Sequence, residues 1–134
     1  MFEERYTFGT RLQGPFDDIR EAVIAALKTE GFGVLTEIDM QKTMKARLGE
    51  EYPPTLILGA CNPTFAHKAM GITAQVATLV PCNVVLRETP QGVTVETVDP
   101  AMLVDATEAP ALAPLAEDLR AKLDRVFAAL TARG

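Results

Sequence analysis

Residues 82–98 constrain the fold of this chain more than any other stretch. Cys82 to Glu88 alternates, with Cys82, Val84 and Leu86 on one side and Asn83, Val85 and Arg87 on the other. Thr89-Pro90-Gln91-Gly92 reads as a turn, and Val93 to Val98 returns as the partner strand. A hairpin commits the chain to antiparallel pairing and to a sheet with a dry face that something must cover. Two long apolar stripes are available for that. Phe16, Ile19, Val23, Ala26 and Leu27 form one. Leu115, Leu119, Leu123, Val126 and Leu130, with Phe127 beside them, form the other. The combination predicts an α+β fold, a mainly antiparallel sheet with two long helices on one face.

The remaining elements fall around that frame. Residues 2–12 read as a single strand with Phe2, Tyr6, Phe8 and Leu12 on one parity. Pro15 opens the first long helix, with Asp17 and Asp18 near its positive end, and Gly31 stops it. Residues 33–38 return as a strand. Asp39 caps a short helix whose apolar face is Met40, Met44 and Leu48, ended by Gly49. Thr55 to Ala60 is nearly continuous apolar and predicts a strand covered on both faces. Asn62 and Pro63 open a third helix that ends at Gly71, and residues 72–80 form an apolar link with a helical turn. Residues 100–114 read as a loop with Met102 and Leu103 tucked inward, and the last helix runs from 114 to 132. The order is β-α-β-(α)-β-(α)-β-β-α. With no repeat and no linker, residues 1–134 form a single domain. A chain of this length buries roughly 68% of its unfolded surface, enough to fold without a metal or a disulfide.

Thirteen basic residues against eighteen acidic ones give a net charge of −5. That balance excludes bulk binding of a phosphate backbone, so no nucleic-acid partner is expected. No stretch approaches the ~18 apolar residues of a membrane span, and the first residues lack the basic run and apolar core of a secretory signal. The expectation is a cytoplasmic protein with no membrane partner and with two reduced cysteines.

Cys61 offers the clearest chemistry. It lies where an apolar strand meets a helix opened by Asn62-Pro63, and the amides and dipole of a helix start stabilise a thiolate. His67 follows in the same helix, and Pro81-Cys82-Asn83 repeats the Cys-Asn pair at the next strand. If the strand ends meet, Cys61, His67 and Cys82 converge on a soft metal such as zinc or copper, although no CxxC occurs and a fourth ligand is missing. Buried cysteine is also common as a plain core residue. Two further groups stand out. Glu37 and Asp39, two apart on a strand, share a face and could act as paired carboxylates, although Asp39 is already explained as a cap. Lys42, Lys45 and Arg47 form a basic helix face in an acidic chain. No Ser-His-Asp signature, phosphate-binding loop or dinucleotide fingerprint is present.

Four segments carry a family resemblance. They are Gly31-Phe32-Gly33-Val34-Leu35-Thr36-Glu37-Ile38-Asp39, Lys45-Ala46-Arg47-Leu48-Gly49, Ile57-Leu58-Gly59-Ala60-Cys61-Asn62-Pro63 with Ala66-His67, and Leu79-Val80-Pro81-Cys82-Asn83-Val84-Val85. In this order, with Asp99-Pro100 and Met102-Leu103 after them, they resemble the domain of unknown function 302 family. The resemblance implies a TBP-like α+β arrangement, a curved antiparallel sheet with two long helices against it, and no particular reaction. The residues point first to a small binding protein that holds a soft metal or small ligand near Cys61, Asn62, His67, Cys82, Asn83 and Glu37. A thiol enzyme with Cys61 as nucleophile and His67 or Glu37 as base is the first alternative. A homodimeric interaction module, assembled through a free sheet edge or the apolar link, is the second.

Overall fold

A computed structural model describes residues 1–133. In chain order it contains β1 (Phe2–Glu4), β2 (Thr7–Leu12), α1 (Phe16–Thr29), β3 (Gly33–Asp39), α2 (Met40–Leu48), β4 (Thr55–Cys61) and α3 (Pro63–Ile72). After a 3-10 turn at Ala74–Thr78 come β5 (Cys82–Thr89), β6 (Gly92–Val98), α4 (Ala101–Thr107), a second 3-10 turn at Pro110–Leu112 and α5 (Ala113–Arg133). The six strands form one sheet in the order β1-β2-β6-β5-β4-β3, and every neighbouring pair is antiparallel.

The register assigns every strand residue to a face. Phe8 and Leu12 of β2 lie opposite Thr97 and Val93 of β6. Val84 and Leu86 of β5 oppose Thr97 and Val95, and in turn Leu58 and Leu56 of β4. These residues are all buried, and their face carries the helices. From α1 it takes Ile19, Val23 and Leu27, and from α5 it takes Leu119, Leu123, Val126, Phe127 and Leu130. The Phe127 ring meets Phe8 edge-on at 5.3 Å. Thr10, also on this face, shares a 2.7 Å hydrogen bond with Thr131 of α5, so the buried hydroxyl is satisfied. The α+β class and the two predicted helix stripes are as the sequence reads.

Four details differ. Residues 2–12 are two strands, because Arg5 (φ 25°) and Tyr6 turn the chain back so that Glu4 pairs with Thr7. Tyr6 is therefore exposed, despite sharing a parity with Phe8. Residues 100–114 hold α4 and a 3-10 turn, which bury Leu103 and Leu112 and leave Met102 exposed. α2 buries no residue; Met40 and Met44 are half-covered, and Leu48 stands in solvent at 68% exposure. β4 is buried because it is an inner strand, and Ile57 on its far side is only half-covered.

Gly9 is required by a close approach. A Cβ there would stand 2.0 Å from the Val95 carbonyl oxygen of β6. Arg120 of α5 ties the short β1 to the body. It donates to Glu3 at 2.9 Å, Asp99 at 2.7 Å and Asp124 at 3.1 Å, and its guanidinium carbon lies 3.7 Å from the centroid of the Phe8 ring. Among the described residues no helix is long and apolar enough to cross a membrane.

Candidate functional site

A β-bulge shapes the edge of the sheet beside the start of α1. The β3–β4 register slips by one residue between Val34 and Thr36, leaving Leu35 as the extra residue. A bulge re-aims every side chain beyond it. Val34 opposes Ala60, and after the slip Glu37 opposes Leu58 and Asp39 opposes Leu56. Glu37 and Asp39 thus stand on the helix-covered face, as a shared parity predicts, at the end where the helix layer begins. Without Leu35 as an extra residue, Glu37 would point to the opposite side.

The first turn of α1 meets them there. Pro15 supplies the carbonyl that accepts from Ile19 N–H at 3.1 Å, so the helix begins beside the end of β3. One turn on, Arg20 grips Glu37 as a two-pronged fork, Nε to Oε1 at 2.7 Å and Nη2 to Oε2 at 2.7 Å. Hydrogen bonding to Arg20 holds the Glu37 carboxylate below its usual range, and the same bond raises Arg20. Both side chains remain over a third exposed in part, at 35% and 38%. Asp39 caps α2, accepting from Lys42 N–H at 2.9 Å.

Between these elements lies an open cleft of about 520 Å³, within the range of small-molecule sites. Phe16, Pro54 and Leu56 supply its apolar lining. Asp17, Arg20, Glu37 and Asp39 supply its charges, three carboxylates against one guanidinium. Glu37 was legible in the sequence as a candidate. Arg20 and Phe16 were not singled out, since nothing in the α1 stripe distinguishes a site wall from an ordinary helix flank.

The cysteines are arranged differently. Cys82 opposes Ala60, so Cys61 lies one residue beyond Cys82's cross-strand partner. Both line one cavity of about 10 Å³, room for at most one water. Its walls include Phe32, Phe65, Val80 and Leu119. Cys82 is buried, and burial, with Cys61 nearby adding to it, pushes its thiol up to about 11. Asn62 is buried and its amide is used at both ends. Its oxygen caps α3, accepting from Phe65 N–H at 3.1 Å, and its nitrogen donates to the Glu30 carbonyl at 3.3 Å. His67 is exposed on α3, and Asn83 is exposed on the sheet face opposite the helices. Among the described residues no group of three or more His, Cys, Asp and Glu side chains is placed to hold a metal ion. The Cys61–His67–Cys82 donor set expected for zinc or copper is therefore not assembled. The two cysteines line the same small cavity, and the imidazole turns to solvent because α3 buries Phe65, Ala66 and Ala69 instead.

The basic face of α2 is a solvated surface. Lys42, Lys45 and Arg47 are all exposed, and Lys45 pairs with Glu51.

An open antiparallel sheet with its helices on one face and a cleft at the bulged edge defines a class of small α+β domain. The model of the family described as "Domain of unknown function DUF302" matches residues 8–130, and the chain belongs to that family. The fold is similar to a crystal structure of an uncharacterized conserved protein DUF302 from Bacillus stearothermophilus. The TM-score is 0.87 at 24% identity, covering 95% of this chain and 99% of that one. Among curated proteins none matches the chain.

Proposed function

We propose that the protein is a small-ligand binding protein whose site is the Arg20–Glu37 cleft. The observation that carries this reading is a 520 Å³ recess with an apolar floor and a fixed ion pair in its wall. Concave shape, apolar lining and a few convergent polar groups are what a site for a small organic molecule requires. Glu37 occupies two of the five guanidinium N–H groups, and its own oxygens keep spare lone pairs. With three carboxylates against one guanidinium, the wall favours a head group that donates hydrogen bonds. The ligand class is a small organic amine with an apolar body resting on Phe16 and Leu56. Amide chemical-shift mapping with a panel of aryl and alkyl amines and their carboxylate counterparts tests this. Amines are expected to shift Phe16–Arg20, Glu37–Asp39 and Leu56; shifts confined to other regions, or a preference for carboxylates, contradict the reading.

A second reading rests on Cys61 and Cys82 lining one cavity of atomic size. A pair of thiols drawn from that cavity would suit a single soft ion such as Cu(I). Titration with Cu(I) held in a competing chelator tests it. Uptake of one ion, abolished in Cys61→Ser and in Cys82→Ser, supports it, and no uptake ends it.

A further inference from the structure

At one corner of the sheet the chain leaves and comes straight back. Asp39 ends β3 and pairs with Leu56 of β4, so residues 40–53 form an excursion whose two ends lie side by side. The Pro54 carbonyl accepts from Glu88 N–H at 2.9 Å, which pins the returning end to β5. No residue between the ends is buried. α2 makes up most of the excursion, and Leu48 and Tyr52 stand in solvent.

The bonds of α2 are local as well. Lys42 N–H donates to the Asp39 carboxylate at 2.9 Å, and the Thr43 hydroxyl donates to the Asp39 carbonyl at 2.8 Å. Gln41 donates to the Tyr52 carbonyl at 3.0 Å, and Lys45 pairs with Glu51. Among the described residues, every side-chain hydrogen bond and ion pair of α2 ends between Asp39 and Tyr52. A helix of nine residues is too short to be stable through its own backbone, and one that buries no apolar stripe gains little from packing. Such a segment opens at a fraction of the free energy that unfolds the sheet. Gly49, which ends α2 in the left-handed conformation at φ 68°, supplies the hinge at the far end.

The excursion hangs on the rim of the cleft. Asp39, Gln41, Pro54, Thr55 and Leu56, its base and its first turn, line the Arg20–Glu37 recess. Gln41 commits its amide nitrogen to Tyr52, and its side-chain oxygen has no partner among the described residues. An ammonium head in the cleft can donate to that oxygen only while α2 is wound, because unwinding carries Gln41 away while Glu37 stays on β3. A ligand that gains a bond in one state alone shifts the population towards that state.

We propose that residues 40–53 are a lid on the cleft: α2 winds and unwinds independently of the sheet, and a bound amine holds it wound. The lid rests on the cleft being an amine site, and one experiment separates the two. Amide shifts and amide hydrogen exchange of the full chain are recorded with and without phenethylamine. Shifts at Phe16–Arg20 report occupancy of the cleft, and exchange at Met40–Leu48 reports the lid. Without the amine, Met40–Leu48 should exchange at least about a hundredfold faster than the buried turns of α1 and α5. Equal protection of the three helices overturns the lid whatever binds. With the amine, exchange at Met40–Leu48 should slow by about fivefold or more as Phe16–Arg20 shift. Shifts at Phe16–Arg20 with no slowing at Met40–Leu48 overturn the lid and leave the cleft site standing, and neither response overturns both. Gly49→Ala places a Cβ in open space at a left-handed position, so its cost falls on the wound state of α2 alone. It should speed exchange across Met40–Leu48 about fivefold and leave α1 and α5 unchanged. Unchanged exchange at Met40–Leu48 in this variant, or an equal rise in all three helices, contradicts independent unwinding and overturns the proposal.

Discussion

Raising the pH should destabilise the fold through one thiol. Cys82 is buried among Ala60, Val80 and Leu119, and its thiol is pushed from an ordinary value near 9.0 up to about 11. Below pH 9 the thiol is protonated in both states and contributes no pH dependence. Between pH 9 and 11 the unfolded chain releases its proton while the folded chain keeps it. The unfolded state then binds fewer protons, so stability falls as pH rises. Each pH unit costs about 1.36 kcal/mol, so the full window costs about 2.7 kcal/mol. Every other group is common to wild type and Cys82→Ala, so comparing the two isolates the share of Cys82. Urea unfolding of wild type and Cys82→Ala at pH 8, 9, 10 and 11 gives the difference directly. Cys82→Ala starts lower because it leaves a gap, but its curve should descend less steeply. The wild-type advantage should shrink by about 2–3 kcal/mol between pH 8 and 11. Parallel curves would refute the account of Cys82 as a buried, neutral thiol and would reopen it as a nucleophile.

Other consequences of the packing can be checked by the same unfolding assay. Leu119→Ala opens a cavity at a residue 1% exposed and should cost about 2–5 kcal/mol; a loss below about 0.5 kcal/mol would place that residue outside the core. Gly9→Ala drives a Cβ into the Val95 carbonyl oxygen, so at least about 3 kcal/mol should be lost, and a neutral result would mean the two strands stand further apart. Arg120→Ala removes contacts to Glu3, Asp99, Asp124 and Phe8 and should cost about 1–3 kcal/mol. Arg120→Lys should recover less than half of that, because an ammonium cannot fork between three carboxylates; full recovery would contradict the network.

The parts of the fold that depend on periodicity and capping were legible. The 82–98 hairpin, the α1 and α5 stripes, the Asp39 and Asn62 caps and the shared face of Glu37 and Asp39 all follow from residue type and spacing. What escaped depends on single backbone events. The reversal at Arg5-Tyr6 uses no turn-forming residue, so nothing in composition separates β1 from β2. The bulge at Leu35 likewise carries no glycine or proline, and it fixes which side Glu37 faces. α4 hid in a stretch rich in alanine and proline because a seven-residue helix has too few turns to reveal a stripe. At the thiols, the sequence placed Cys61 and Cys82 at neighbouring strand ends. It could not tell that α3 would bury its Phe65 side and leave His67 outside.

The proposed role of the Arg20–Glu37 cleft is to hold a small amine through its carboxylates. The most direct measurement is the dissociation constant of the best amine from the mapping panel, by calorimetry, for wild type and for Glu37→Gln. A charge-assisted hydrogen bond contributes about 1.5–3 kcal/mol, so neutralising Glu37 should weaken binding at least tenfold while the melting temperature moves little. Equal affinity for the two proteins would mean that Glu37 does not face the ligand, and the cleft would lose its assigned function.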